Sequence, residues 1–155
     1  MNDQQKIDFK IALKNRCIEI LEQRISSSYD SMQNAQAAAN EEEKSSAGDK
    51  YETGRAMSHL EKDMHARQLA ANKNDMASLL SINCGQIYKT VVPGCFVKCS
   101  QTSFFIAAGL GKIIIEKEAV FLLSHQAPVA RALYNKKAGD IFLFNGRELK
   151  IEELY

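Results

Sequence analysis

The chain has 155 residues, of which 45% are hydrophobic and 25% charged; this is the make-up of an ordinary soluble protein of one domain or two small ones. A formal net charge of +1 provides no global attraction to nucleic acid or to a membrane surface. Residues 1–80 carry 11 Lys and Arg against 13 Asp and Glu, and residues 81–155 carry 9 against 6, a small asymmetry that hints at different partners for the two halves. No apolar run approaches a membrane span, and the polar start Met1-Asn2-Asp3-Gln4-Gln5-Lys6 is not a signal peptide. Cys17, Cys84, Cys95 and Cys99 lack C-x-x-C spacing, and no His stands near Cys95 and Cys99 in sequence to complete a zinc set. The expectation is a cytoplasmic protein with reduced thiols and no structural disulfide.

The first forty residues give the clearest periodicity. Ile7, Ile11, Lys14, Ile18, Leu21, Ile25, Ser28, Met32, Ala35 and Ala39 step by four and three, a heptad seam in which only Lys14 and Ser28 are polar. Without Gly or Pro to interrupt it, a helix of this length reaches roughly 60 Å. The seam tapers from isoleucine and leucine to alanine, so the distal end allows a second helix to approach closely. Glu41-Glu42-Glu43 opposes the dipole at the helix end and reads as a solvated face.

Ser45-Ser46-Ala47-Gly48-Asp49-Lys50-Tyr51-Glu52-Thr53-Gly54 then breaks the helix and reverses the chain, because serines and glycines are poor helix formers. Asp49 and Glu52, three apart near the start of the next helix, fall on one side of it. Such a pair can cap an N-terminus, or it can offer oxygen ligands to a divalent cation. A return helix is expected over about Thr53 to Leu80, with Met57, Leu60, Met64 and Ala71 towards the first helix. His59 and His65 are six apart, off any common face, and read as surface residues.

From Ser81 onwards the pattern becomes β-type: Gln86–Val92, Cys95–Ser100, Phe104–Ala107, Lys112–Lys117, Ala119–Ser124, Ile141–Phe144 and Glu148–Ile151. Pro93-Gly94 and Asn145-Gly146 signal turns, the second of type I′, and Pro128 opens a short helix to about Tyr134. The expected fold is α+β: a helical hairpin over residues 1–82, then a small antiparallel sheet domain with one short helix over 83–155. Neither Gly109-Leu110-Gly111 nor the neighbours Ser124 and His125 make a catalytic motif, so no enzyme is indicated.

Two stretches carry a family likeness. Ser124-His125-Gln126-Ala127-Pro128-Val129-Ala130-Arg131-Ala132-Leu133 with Lys136-Lys137-Ala138-Gly139-Asp140, and separately Gly48-Asp49-Lys50-Tyr51-Glu52, resemble the Gre-family transcription factors (GreA/GreB). In that family the first pattern lies in a C-terminal domain similar to FKBP isomerases. The second is the acidic tip of an N-terminal coiled coil. The order of parts agrees over nearly the whole chain.

The resemblance implies a monomeric bacterial elongation factor that docks on RNA polymerase and passes its coiled coil through the secondary channel. There Asp49 and Glu52 would help hold a Mg²⁺ ion shared with the polymerase, in indirect contact with nascent RNA, so that the polymerase cleaves backtracked transcript. The factor itself is then not an enzyme and binds no cofactor tightly. Where the family continues with Asn, a small residue, Glu and an aromatic, this chain has Thr53-Gly54-Arg55-Ala56. That departure leaves open a channel-binding regulator that does not stimulate cleavage. A peptidyl-prolyl isomerase is a distant alternative, resting on domain fold alone.

Overall fold

The computed structural model describes the backbone of residues 1–44 and 48–155, and the side chains of these except 42–51. Two long helices lead: α1 over Asp3–Lys44 and α2 over Gly48–Ser81. Seven strands and one short helix follow: β1 (Phe96–Lys98), β2 (Ser103–Ala107), β3 (Gly111–Ile115), β4 (Glu118–Ser124), α3 (Pro128–Leu133), β5 (Ile141–Phe144), β6 (Arg147–Lys150) and β7 (Glu153–Leu154). This is the expected succession of a helical hairpin and a small α+β domain. The link at 45–47, where the sequence places the reversal, lies outside the described residues. The chain divides into two compact units, Met1–Glu19 with Ala77–Tyr155, and Ile20–Met76. The expected boundary at 82/83 follows the end of α2, whereas the compact units cut across both long helices.

Helix α1 begins on a reciprocal cap: the Gln5 amide donates to Asn2 Oδ1 and the Asn2 amide donates to Gln5 Oε1, both at 2.9 Å. In the first unit its opening turns bury Phe9, Lys10, Leu13 and Cys17, the last three each one position before the expected Ile11, Lys14 and Ile18; Ile11 is exposed. The reason lies in what the helix meets there. Phe9 packs edge-on to Phe96 with ring centroids 5.2 Å apart, and Phe96 in turn lies 5.1 Å from Tyr155. Lys6 adds an ion pair to Glu153 at 2.6 Å.

The sheet order is β3-β4-β2-β1-β7, with β5-β6 a separate hairpin. One pairing departs from the all-antiparallel expectation: β2 and β4 run parallel, Phe104 opposite Phe121. Strand β3 passes to the sheet edge and β4 returns between it and β2, a path that hydrophobic alternation alone does not encode. Phe104 anchors the core, its ring 5.9, 5.8 and 5.2 Å from those of Phe121, Phe142 and Phe144; Ala130 and Leu133 of α3 are buried in the same cluster. The Asn145-Gly146 loop has the positive φ at both residues (50° and 75°) that a type I′ turn requires.

The expected strand over Gln86–Val92 is absent. Its backbone groups bond elsewhere: the Val91 amide donates to the Lys136 carbonyl (2.9 Å) and the Asn135 amide to the Val91 carbonyl (3.0 Å), so no ladder forms. The segment ends in a Val92–Cys95 turn in which Gly94 has φ 92° and lies so close to the Asn83 carbonyl that a Cβ would stand 2.7 Å from that oxygen.

In the second unit, α1 buries Leu21, Ser28, Ala35 and Ala39, in the expected phase, and α2 buries Leu69 and Asn72. The face of α2 differs from expectation. Met57, Leu60 and Met64 are exposed by 60%, 65% and 55%, and Ala71 is exposed too. The inward positions are Ser58, Lys62, His65, Leu69, Asn72 and Met76, again stepping by four and three. Asn72 Nδ2 donates to Ser28 Oγ across the pair at 3.3 Å, fixing this phase with a polar contact.

Candidate functional site

The acid pair singled out by sequence lies at the beginning of α2. Helix α2 starts at Gly48, five residues before the expected Thr53, so Asp49 falls in its first turn and Glu52 one turn later. On a helical backbone this spacing sets two positions on one side. The Glu52 side chain is exposed; the Asp49 side chain lies outside the described residues. Arg55, a further three positions along, is exposed, and Gly54 sits inside the helix rather than ending it. Acids at a helix start are favoured by the dipole, which lowers the cost of holding two carboxylates together.

Two carboxylates make an incomplete cation site. Among the described residues, no group of three or more His, Cys, Asp and Glu is arranged to hold a metal. Mg²⁺ commonly takes one or two carboxylates and completes its shell with water and phosphate oxygens. Two carboxylates are a donor set of that size.

The four cysteines supply no chemistry of this kind. All are free and buried, and burial pushes the Cys17 thiol up to about 12 and the Cys95 and Cys99 thiols up to about 11; such thiols are poor nucleophiles. The Cys84 thiol is also raised, again chiefly by burial.

The described residues also line hollows that the sequence does not foresee. In the first unit, Val91, Val92, Pro93, Ile106, Ala130 and Tyr134 line a mostly apolar cavity of about 410 Å³ with His125 and Arg131 at its rim. In the second, Arg24, Ser27, Ser28, Ser31, His65 and Gln68 line a polar hollow of about 150 Å³. His65, expected at the surface, is half-buried there. The signal in the sequence is Ser28, a hydroxyl in a seam polar elsewhere only at Lys14; its partners on α2 are hidden when the face of α2 is assigned by hydrophobicity.

No protein-family model matches the chain, and no curated protein matches it. Among solved structures, "Structure of the transcription factor Gfh1" is similar at 15% identity and a TM-score of 0.38, over 89% of this chain and 92% of that one. At that identity and TM-score the likeness decides neither family nor activity.

Proposed function

We propose that this chain is a Gre-like transcription factor that binds bacterial RNA polymerase through its α/β part, inserts its helical hairpin into the secondary channel and stimulates cleavage of backtracked RNA. The observation that carries the reading is the acid pair Asp49 and Glu52 at the start of α2, next to the link between two long helices. The motif resemblance around Gly48–Glu52 and Ser124–Asp140 supports it. A helical hairpin is a suitable carrier, since its shaft satisfies its own backbone along its length and the unpaired groups at its end can be met by caps, water or a partner.

In this reading Asp49 and Glu52 bring negative charge and oxygen donors to a centre whose other ligands belong to the polymerase. Bound Mg²⁺ supplies Lewis-acid stabilisation of the displacement at phosphorus. The carboxylates position and orient; they hold no substrate on their own. Arg55 places a cation one turn beyond Glu52, and this residue favours a second reading, a regulator that occupies the channel without stimulating cleavage.

A transcript-cleavage assay on backtracked polymerase separates the two. Asp49→Ala and Glu52→Ala are expected to abolish stimulation and leave polymerase binding nearly intact, because the acids act at the transition state while affinity comes from the rest of the chain. Raised Mg²⁺ should partly restore a single variant by mass action. Arg55→Glu should keep or increase stimulation at low Mg²⁺. Full stimulation by Asp49→Asn combined with Glu52→Gln would assign the acids a capping role, and binding of polymerase by the wild type with no stimulation would favour the channel-occupying regulator.

A further inference from the structure

The polar hollow in the second unit points to a ligand. Arg24, Ser27, Ser28 and Ser31 follow helical spacing along α1, and His65 and Gln68 stand three apart on α2, so both helices present polar groups to one space. The lining contains three hydroxyls, an amide, an imidazole and a guanidinium, and no carboxylate. Ser28 is 6% and Asn72 8% exposed. Because Asn72 Nδ2 donates to Ser28 Oγ at 3.3 Å, the Ser28 hydroxyl hydrogen is left to donate in another direction.

A single polar pair in a helix seam has a familiar use, fixing register at some cost in stability. Ser28 and Asn72 suffice for that. Register does not require the half-buried Ser31 and His65 around the same space, whose outer side is lined by the exposed Arg24, Ser27 and Gln68. Apolar side chains at the half-buried members would pair the helices better. What the set shares is donors without a competing acid, which suits an anion. Several donors from two sides exceed the two oxygens of a carboxylate and match the three or more acceptor oxygens of a phosphate group. The volume of about 150 Å³ compares with about 30 Å³ per liquid water. It accommodates a tetrahedral oxyanion with a little water and leaves any attached nucleoside outside.

We infer that this hollow is a binding site for the phosphate group of a small solute, either free phosphate or the terminal phosphate of a nucleotide. Arg24 supplies the fixed charge and the fork of donors. Ser27, Ser28, Ser31 and Gln68 complete the shell from both helices, with His65 closing the α2 side. Since α1 and α2 each supply part of the shell, occupancy ties the two helices together and stabilises the paired state by mass action. Neither the polymerase reading nor Asp49 and Glu52 enters this inference.

The test titrates the full chain with inorganic phosphate against chloride at fixed ionic strength, by calorimetry and by ³¹P NMR. One saturable site is expected, weakened about tenfold or more in Arg24→Gln, as for loss of one charge-assisted hydrogen bond. Lys73→Gln, an exposed charge removed outside the hollow, should bind like wild type. Phosphate should also raise the thermal midpoint of the wild type more than that of Arg24→Gln. The variant retains only the general effect of an excluded salt. A nucleoside triphosphate binding about tenfold tighter than inorganic phosphate assigns the nucleotide as source, and equal binding assigns free phosphate. Absence of saturable binding, or an Arg24→Gln variant that binds like wild type while helical by circular dichroism, overturns the inference. So does equal competition by a short RNA that lacks terminal phosphates.

Discussion

Lys10 gives the sharpest test of how the first unit is held. Its side chain is fully buried, with Nζ donating to the Gln86 carbonyl at 2.6 Å and lying 4.7 Å from the centre of the Tyr88 ring. A charged hydrogen bond contributes about 1.5–3 kcal/mol and a cation–π contact about 0.5–2 kcal/mol. Burial opposes both by desolvating the ammonium, and it wins, because the Lys10 pKa is lowered from 10.5. The charged head is therefore a net cost at neutral pH, while its methylene stem fills the core.

Two substitutions separate these parts. Lys10→Met keeps the volume and removes the charge, and is expected within about 1 kcal/mol of wild type at pH 7. Lys10→Ala also leaves a cavity and should cost about 3 kcal/mol. The sign with pH follows from linkage. Between the lowered pKa and about 10.5 the folded state holds fewer protons at Lys10 than the unfolded state, so this group's contribution rises with pH there. Wild type should thus gain on Lys10→Met as pH climbs through that window, and loss of the ammonium that lowers the Cys84 and Cys95 thiols acts in the same direction. Denaturant unfolding of the three proteins at pH 7 and pH 10 makes the comparison. Lys10→Ala within about 0.5 kcal/mol of wild type, below the usual cost of a core truncation, or a gap to Lys10→Met that does not move with pH, would refute the reasoning.

The buried thiols predict the opposite trend for the whole protein: Cys17 and Cys95, raised from 9.0 to about 12 and about 11, keep protons that the unfolded chain releases. Stability should fall as pH rises from about 9 towards 11, and Cys17→Ala should flatten the slope in urea melts. Phe96→Ala, at the junction of Phe9 and Tyr155, should cost about 3–5 kcal/mol, measured by the urea midpoint at unchanged slope. Glu116 and Lys117 hold φ of 49° and 70° in the β3–β4 turn; replacing them by Asn-Gly should stabilise by about 0.5–1 kcal/mol, read from the thermal midpoint.

Much of the fold was legible because local chemistry and tertiary structure agree. Asn145-Gly146 can adopt two positive φ values, so its hairpin was fixed by the turn alone. Leu21, Ser28, Ala35 and Ala39 hold one heptad phase, and the helix buries that phase. Legibility failed where a partner decides. Met57, Leu60 and Met64 are the apolar choice on α2, yet burial follows Leu69, Asn72 and Met76, about 100° round the axis per position of offset. Gln86–Val92 has β-type residues, but its backbone bonds to Asn135 and Lys136, far away in sequence. The parallel β2–β4 pair was hidden because alternation encodes a face and not a direction. Asp49 and Glu52 were legible as spacing, since helix geometry follows from sequence separation; His65 and Gln68 needed the true phase of α2 before they could be grouped with Arg24.

The first unit is assembled from two distant stretches, Met1–Glu19 and Ala77–Tyr155, and this shapes how the chain must fold. Phe9 cannot meet Phe96, nor Lys6 meet Glu153, until a long intervening segment has been gathered in. Closing so large a loop is entropically slow, and topologies rich in such remote pairings have high contact order. The described part of the intervening segment is, however, helical, and it pairs over a shorter separation, such as the 44 residues from Ser28 to Asn72. If it zips first, it shortens the loop that the sheet must close, turning a remote encounter into a near one. Substitutions that loosen the pairing around Ser28 and Asn72 would then slow formation of the sheet.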